Sequence, residues 1–122
     1  MPTRREILLT VAAVATGAVA PLLAHLAVRK SDPANNATLT SPPSRIAVWF
    51  NQNPTLAVSS LSLEGPKGAV KLGEIKAGAE RSLVADVLEP LQPGAHTLTW
   101  KAAGNDGHVI TGTRTFNYAP AR

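Results

Sequence analysis

The chain has 122 residues, with 10 Pro, 9 Gly, few aromatics, no Cys and a formal charge of +4. That length fits a single domain, and the lack of Cys excludes disulfides, thiolate metal sites and thiol nucleophiles. The basic residues are scattered, with no basic run and no aromatic stacking platform, so no nucleic-acid partner is expected.

The chain opens Thr3-Arg4-Arg5-Glu6-Ile7, and no charged residue follows from Ile7 to Leu23. A basic start, an apolar run and then small residues form the pattern of a secretory signal. Two adjacent arginines ahead of the run fit the twin-arginine variant. Pro21 obstructs a cut after Ala20, whereas Ala24, with Leu22 two places earlier, is a better site. The expectation is a signal-peptide helix over 1–24 and a domain over 25–122 that begins at His25. The alternative is an uncleaved anchor, since Ile7 to Val28 is long enough to span a bilayer, which takes about 20 apolar residues. His25 interrupts that run, and Gly17 and Pro21 weaken it as a helix.

The remainder reads as β. Arg45 to Phe50 alternates, with Ile46, Val48 and Phe50 on one face. Leu56 to Leu63 is a second run, and Ala69 to Leu72 and Ser82 to Leu88 are shorter ones. In Ala95 to Ala102, His96, Leu98 and Trp100 share a face. In Thr111 to Tyr118, Gly112, Arg114, Phe116 and Tyr118 lie opposite threonines. This period of two marks strands. Ser41-Pro42-Pro43, Asn53-Pro54, Glu64-Gly65-Pro66, Pro90 to Gly94 and Asn105-Asp106-Gly107 supply the turns between them. Short strands with turns at near-regular spacing point to a sandwich or barrel.

The sequence has three histidines, His25, His96 and His108. Cleavage before His25 would free an α-amine beside its imidazole, and the amine and Nδ1 can chelate one ion together. The amine's pKa, near 8 in solution, lets a metal displace its proton at neutral pH. Asp106 and His108, two apart across Gly107, can lie on one side of a turning backbone. Three nitrogens and one oxygen in a tetragonal set favour copper(II). The plainer reading of Asn105-Asp106-Gly107 is a β-turn. His96 reads as a satisfied histidine packed on a strand, and Trp49 and Trp100 as core anchors. Lys and Arg positions read as solvated surface.

The mature part also resembles the periplasmic copper-resistance proteins of the CopC/PcoC type. The opening from His25-Leu26-Ala27 through Ser31-Asp32-Pro33-Ala34 to Ala37 resembles the family's first strand and turn. Pro43 with Ile46, Val48 and Phe50 resembles the next strand. Leu91-Gln92-Pro93-Gly94 through Trp100 is similar to an L-x-P-G-x-Y-x-V-x-W stretch, and Asp106-Gly107-His108 with Gly112 and Phe116 to a D-G-H-x-x-x-G-x-x-x-F ending. The resemblance implies an all-β, immunoglobulin-like Greek-key β-sandwich of seven or eight strands. It implies one Cu(II) per chain held by His25 (amine and imidazole), Asp106 and His108, and no catalytic residues.

The implied role is copper homeostasis or resistance in the periplasm or outside the cell. The protein would be a monomeric carrier, buffer or donor to a CopD-like membrane copper transporter. His96 departs from the family's Tyr, and Gly104 from a Ser before the D-G-H. The only Met is Met1, so no thioether-rich Cu(I) site is expected in the mature domain, because soft Cu(I) prefers sulfur. Two other functions compete: a histidine-brace copper enzyme of the oxidative kind, and an anchored Ig-like interaction module.

Overall fold

The computed structural model describes residues 25–121. The expected signal-peptide helix lies outside them. Two sheets face each other. The four-stranded sheet has the order β1 (Val28–Asp32), β3 (Arg45–Phe50), β7 (Ser82–Asp86), β6 (Lys76–Gly78). The five-stranded sheet has the order β2 (Ala37–Leu39), β9 (Val109–Tyr118), β8 (Gly94–Ala103), β4 (Ser60–Gly65), β5 (Gly68–Val70). The chain passes from β4 and β5 to β6 and β7 in the other sheet, then returns to set β8 beside β4. That return is the Greek-key crossing of a β-sandwich. The described residues hold nine strands, one more than the upper expectation, because β2, β5 and β6 are three-residue pieces.

Alternation explains which residues meet between the sheets. Ile46, Val48 and Phe50 from β3 and Leu83 and Ala85 from β7 are buried against Leu63, Leu98, Trp100, Ala102 and Phe116 of the other sheet. Burying each large apolar side chain contributes about 1.5–3 kcal/mol, so this layer is the main stabilising term. The run Leu56 to Leu63 departs from expectation. Leu56–Val58 forms a 3-10 turn with no buried residue, and the strand begins only at Ser60. Pro54 precedes the turn and its apolar residues stay exposed, so no sheet face recruits them.

The β8–β9 hairpin explains the spacing of the closing motif. Trp100 pairs with Gly112 and His96 with Phe116 across the ladder. A Cβ at Gly112 would overlap the Trp100 indole, so the large ring needs a residue without a side chain opposite it. Arg114 covers the same ring, its guanidinium carbon 5.0 Å from the centroid. Phe116 stacks on His96 with centroids 5.0 Å apart. His96 is buried, and its Nδ1 lies 2.9 Å from the Gly94 carbonyl, which accepts. Its Nε2 has no hydrogen-bond partner among the described residues, so the histidine is packed as expected but only half satisfied.

Trp49 departs from the core-anchor reading. It is half-buried on β3, and the Lys30 ammonium lies 4.6 Å from its ring centroid. Beside it, the β6–β7 turn holds Glu80 and Arg81 in the left-handed region, with φ of 56 and 64. For residues other than Gly this conformation costs roughly 1–2 kcal/mol each.

Gly112→Ala is expected to lower unfolding free energy by about 1–3 kcal/mol, the usual cost of overpacking, read from the urea midpoint with an unchanged slope.

Candidate metal centre

One end of the sandwich is built from three chain segments: residues 25–27 entering β1, Asn51 leaving β3, and the turn 104–108 between β8 and β9 with the strand ends that carry it. The turn follows from its sequence. The Gly107 amide donates to the Gly104 carbonyl at 3.1 Å, and Gly107 takes a φ of 80 that a side chain would strain. The Asp106 carboxylate closes the turn, because its Oδ1 accepts from the His108 amide at 3.0 Å. This is the Asx pattern that makes Asp favoured at such corners.

The other carboxylate oxygen is left for the imidazoles. Asp106 Oδ2 lies 3.0 Å from His108 Nδ1 and 3.2 Å from His25 Nδ1. The two rings are tilted by 44° with centroids 5.3 Å apart. Each of the three residues offers a donor atom within 4.8 Å of the others. The turn and the imidazole contacts therefore coexist, each using a different oxygen of the same side chain. The hydrogen bonds from the His108 ring and amide, and the nearby His25 and His108 charges, hold the Asp106 carboxyl below its ordinary 3.8.

His25 arrives here through contacts that its own sequence does not announce. The Ala27 amide donates to Asn51 Oδ1 at 2.8 Å, and Asn51 Nδ2 donates to the His25 carbonyl at 3.0 Å. The Asn51 amide donates to the Ala27 carbonyl at 2.9 Å. Between these anchors the Leu26 side chain is buried in the core cluster. Gly104 completes the fit, since a Cβ there would stand 3.3 Å from Leu26 Cβ and 3.2 Å from Gln52 Oε1. A serine at this position would stand close against both. Asn51, Leu26 and Gly104 were not singled out as site residues by sequence reasoning. Asn51 carried one usable signal, a polar amide directly after the apolar run from Ile46 to Phe50.

His96, the third histidine, lies near the start of β8, the strand whose far end leads into the turn, so it stands apart from the trio. Among the described residues, no helix is long and apolar enough to cross a membrane.

An all-β sandwich that gathers two histidines and an aspartate at one end, a set that could hold a metal ion, defines a class of small domains, and comparison with known proteins narrows it. The family model of the CopC domain matches residues 28–119, and the chain belongs to the CopC domain family. It is 30% identical over 123 residues to copper resistance protein C of Xanthomonas campestris pv. juglandis, covering 93% of this chain and 95% of that one. The crystal structure of PcoC, a methionine-rich copper resistance protein from Escherichia coli, aligns with a TM-score of 0.70 at 28% identity, over 79% of this chain and 100% of that one. CopC from Methylosinus trichosporium OB3b shares the fold, with a TM-score of 0.72 at 24% identity over 80% and 97% of the two chains.

A lowered folded-state value means that the Asp106 contribution to stability is present above the ordinary 3.8 and is lost as pH falls through the folded value. Carbon-detected NMR titration should place the Asp106 midpoint below 3.8, and His108→Ala should move it back up towards that value. An unmoved midpoint in the variant would contradict the hydrogen-bonded arrangement.

Proposed function

We propose that this protein is an exported copper(II)-binding carrier or buffer, working in copper homeostasis or resistance rather than catalysis. It would bind one ion through His25, Asp106 and His108 and pass it to a membrane copper transporter of the CopD-like kind. The observation that supports this most directly is the convergence of two imidazole Nδ1 atoms on one carboxylate oxygen, 3.0 and 3.2 Å away. Two protons lie between those atoms when the rings donate, and a cation of the right affinity takes their place.

The donor set suits the ion. Imidazole nitrogen and carboxylate oxygen are borderline-to-hard ligands, and copper(II) heads the divalent series for such sites. In the full-length chain the His25 nitrogen is a peptide amide. Removal of residues 1–24 would make it an amine, adding a third nitrogen next to the Nδ1 that already faces Asp106. Export with cleavage after Ala24, and residence in the periplasm or outside the cell, belong to this reading. Nothing in 25–122 offers a thioether or thiolate, in contrast to the methionine-rich PcoC. The reading is therefore confined to the oxidised ion.

Exposure supports carriage over storage. The His25 and His108 side chains are 50% and 72% accessible, and Asp106 25%. An ion held by such groups stays open to attack by an incoming ligand, which is what transfer requires.

His108→Ala should weaken copper(II) affinity at least about tenfold, in line with the loss of a directly coordinating group. One extra residue ahead of His25 should weaken it further, because the amine would move out of chelating reach. Electron paramagnetic resonance of the processed protein with one equivalent of copper(II) should show couplings from several nitrogens, and spectra without them would rule out this ligand set. Asn51→Ala removes the side-chain half of the anchorage and should cost roughly 10–100-fold in affinity, with the far-UV circular dichroism of the sandwich retained.

A further inference from the structure

The four-stranded sheet carries, near the same end as the metal centre, a groove of about 420 Å³ lined by Arg29, Lys30, Trp49, Glu80 and Arg81. Three of the five are cationic. Arg29, Lys30 and Arg81 are all exposed, and among the described residues neither Arg29 nor Arg81 makes an ion pair. The indole of Trp49 forms one wall, with Lys30 lying on its face.

The groove is assembled by two irregularities. The β1–β3 register shifts between Val28 and Lys30, so that Val28 pairs with Phe50 and Lys30 with Trp49. This bulge makes Arg29 the extra residue, and Arg29 and Lys30 are both exposed in sequence. Bulges re-aim side chains in this way. On the opposite side, consecutive left-handed residues Glu80 and Arg81 turn the chain, and the Arg81 carbonyl accepts from the Phe50 amide at 3.0 Å. A charged, bulged edge strand can be explained as protection against edge-to-edge pairing. That account covers Arg29 and Lys30. It does not cover a half-exposed tryptophan on a neighbouring strand, nor the third cation that the β6–β7 hairpin brings to the same hollow.

The position of the groove ties it to the metal centre. Trp49 is two residues before Asn51, which holds His25, and Lys30 is five residues after His25. The backbone between His25 and Lys30 spans at most about 18 Å.

We propose that this groove docks an acidic polypeptide segment of the protein that receives the ion. The proposal rests on the carrier function proposed above and adds the chemistry of its partner. Three cations around an indole complement carboxylates with an apolar or aromatic residue among them. Glu80 on the rim favours a peptide, which can offer an amide or a cation opposite it, over the uniform negative charge of a lipid surface. Complementary charge of this kind steers the encounter and fixes orientation, placing the acceptor beside the exposed ligands of the ion.

The test titrates the purified protein, metal-free and copper-loaded, with hexaglutamate, hexaglutamine and vesicles of phosphatidylglycerol, following tryptophan fluorescence. Expected are salt-sensitive binding of hexaglutamate only, and a loss of about tenfold in affinity for Arg81→Glu and Lys30→Glu. Lys67→Glu, with the same charge change in the turn between β4 and β5, should bind as the parent does. Equal loss in Lys67→Glu, no hexaglutamate binding, or groove-dependent binding of vesicles alone would each overturn the proposal. Copper(II) titration of the same samples reads the metal centre separately. Arg81→Glu should retain copper affinity, and a parent protein that binds no copper would overturn the acceptor assignment while the peptide result kept its own reading.

Discussion

The carboxylate of Asp106 is the point on which the end of this sandwich turns. One oxygen satisfies the backbone amide of His108 and so closes the corner between β8 and β9. The other accepts from two imidazoles, one two residues along the chain at His108 and one at His25, where the described chain begins. A single side chain thus converts a local turn into a long-range junction. An amide in its place could still close the corner but would lack the charge that draws two imidazoles together.

The sandwich supplies the rigidity this junction needs. The long β8–β9 ladder runs from Gly94 with Tyr118 to Ala103 with Val109, so the turn is held at both of its feet. Trp100 lying over Gly112 and Phe116 stacked on His96 fix the two strands face to face. On the other sheet, β1 is paired on one side only, with β3, and would leave its entry loose without help. Asn51 gives that help with three backbone contacts, and Leu26 adds a buried peg. The histidine at position 25 is therefore located by residues on either side of it in space, neither of which belongs to the His25, Asp106 and His108 cluster.

How far the sequence disclosed this depended on the range of each interaction. Arg45 to Phe50, the β8 run and the β9 run were legible because side-chain alternation along a strand is a local record of which face is buried. β2 and β6 left no such record, since three residues hold no period and these strands exist only by pairing with β9 and β7. Leu56 and Val58 misled because apolar composition was read as burial, and here it remains on the surface. Where His25, Asp106 and His108 meet, the residue types and the D-G-H spacing were readable from chemistry and from family resemblance. Asn51 was not, because its partners lie 24 and 26 residues away. Trp49 was read as core by its residue type, although the neighbour that occupies its face is a lysine.

The Asn51 anchorage engages main-chain atoms of residues 25 and 27 and ignores their side chains. The identity of the group displayed at position 25 is thus mechanically independent of the grip that holds it. Different donors could be mounted there, by evolution or by engineering, without rebuilding the scaffold. The chemistry displayed at that end of the sandwich becomes an interchangeable property of position 25.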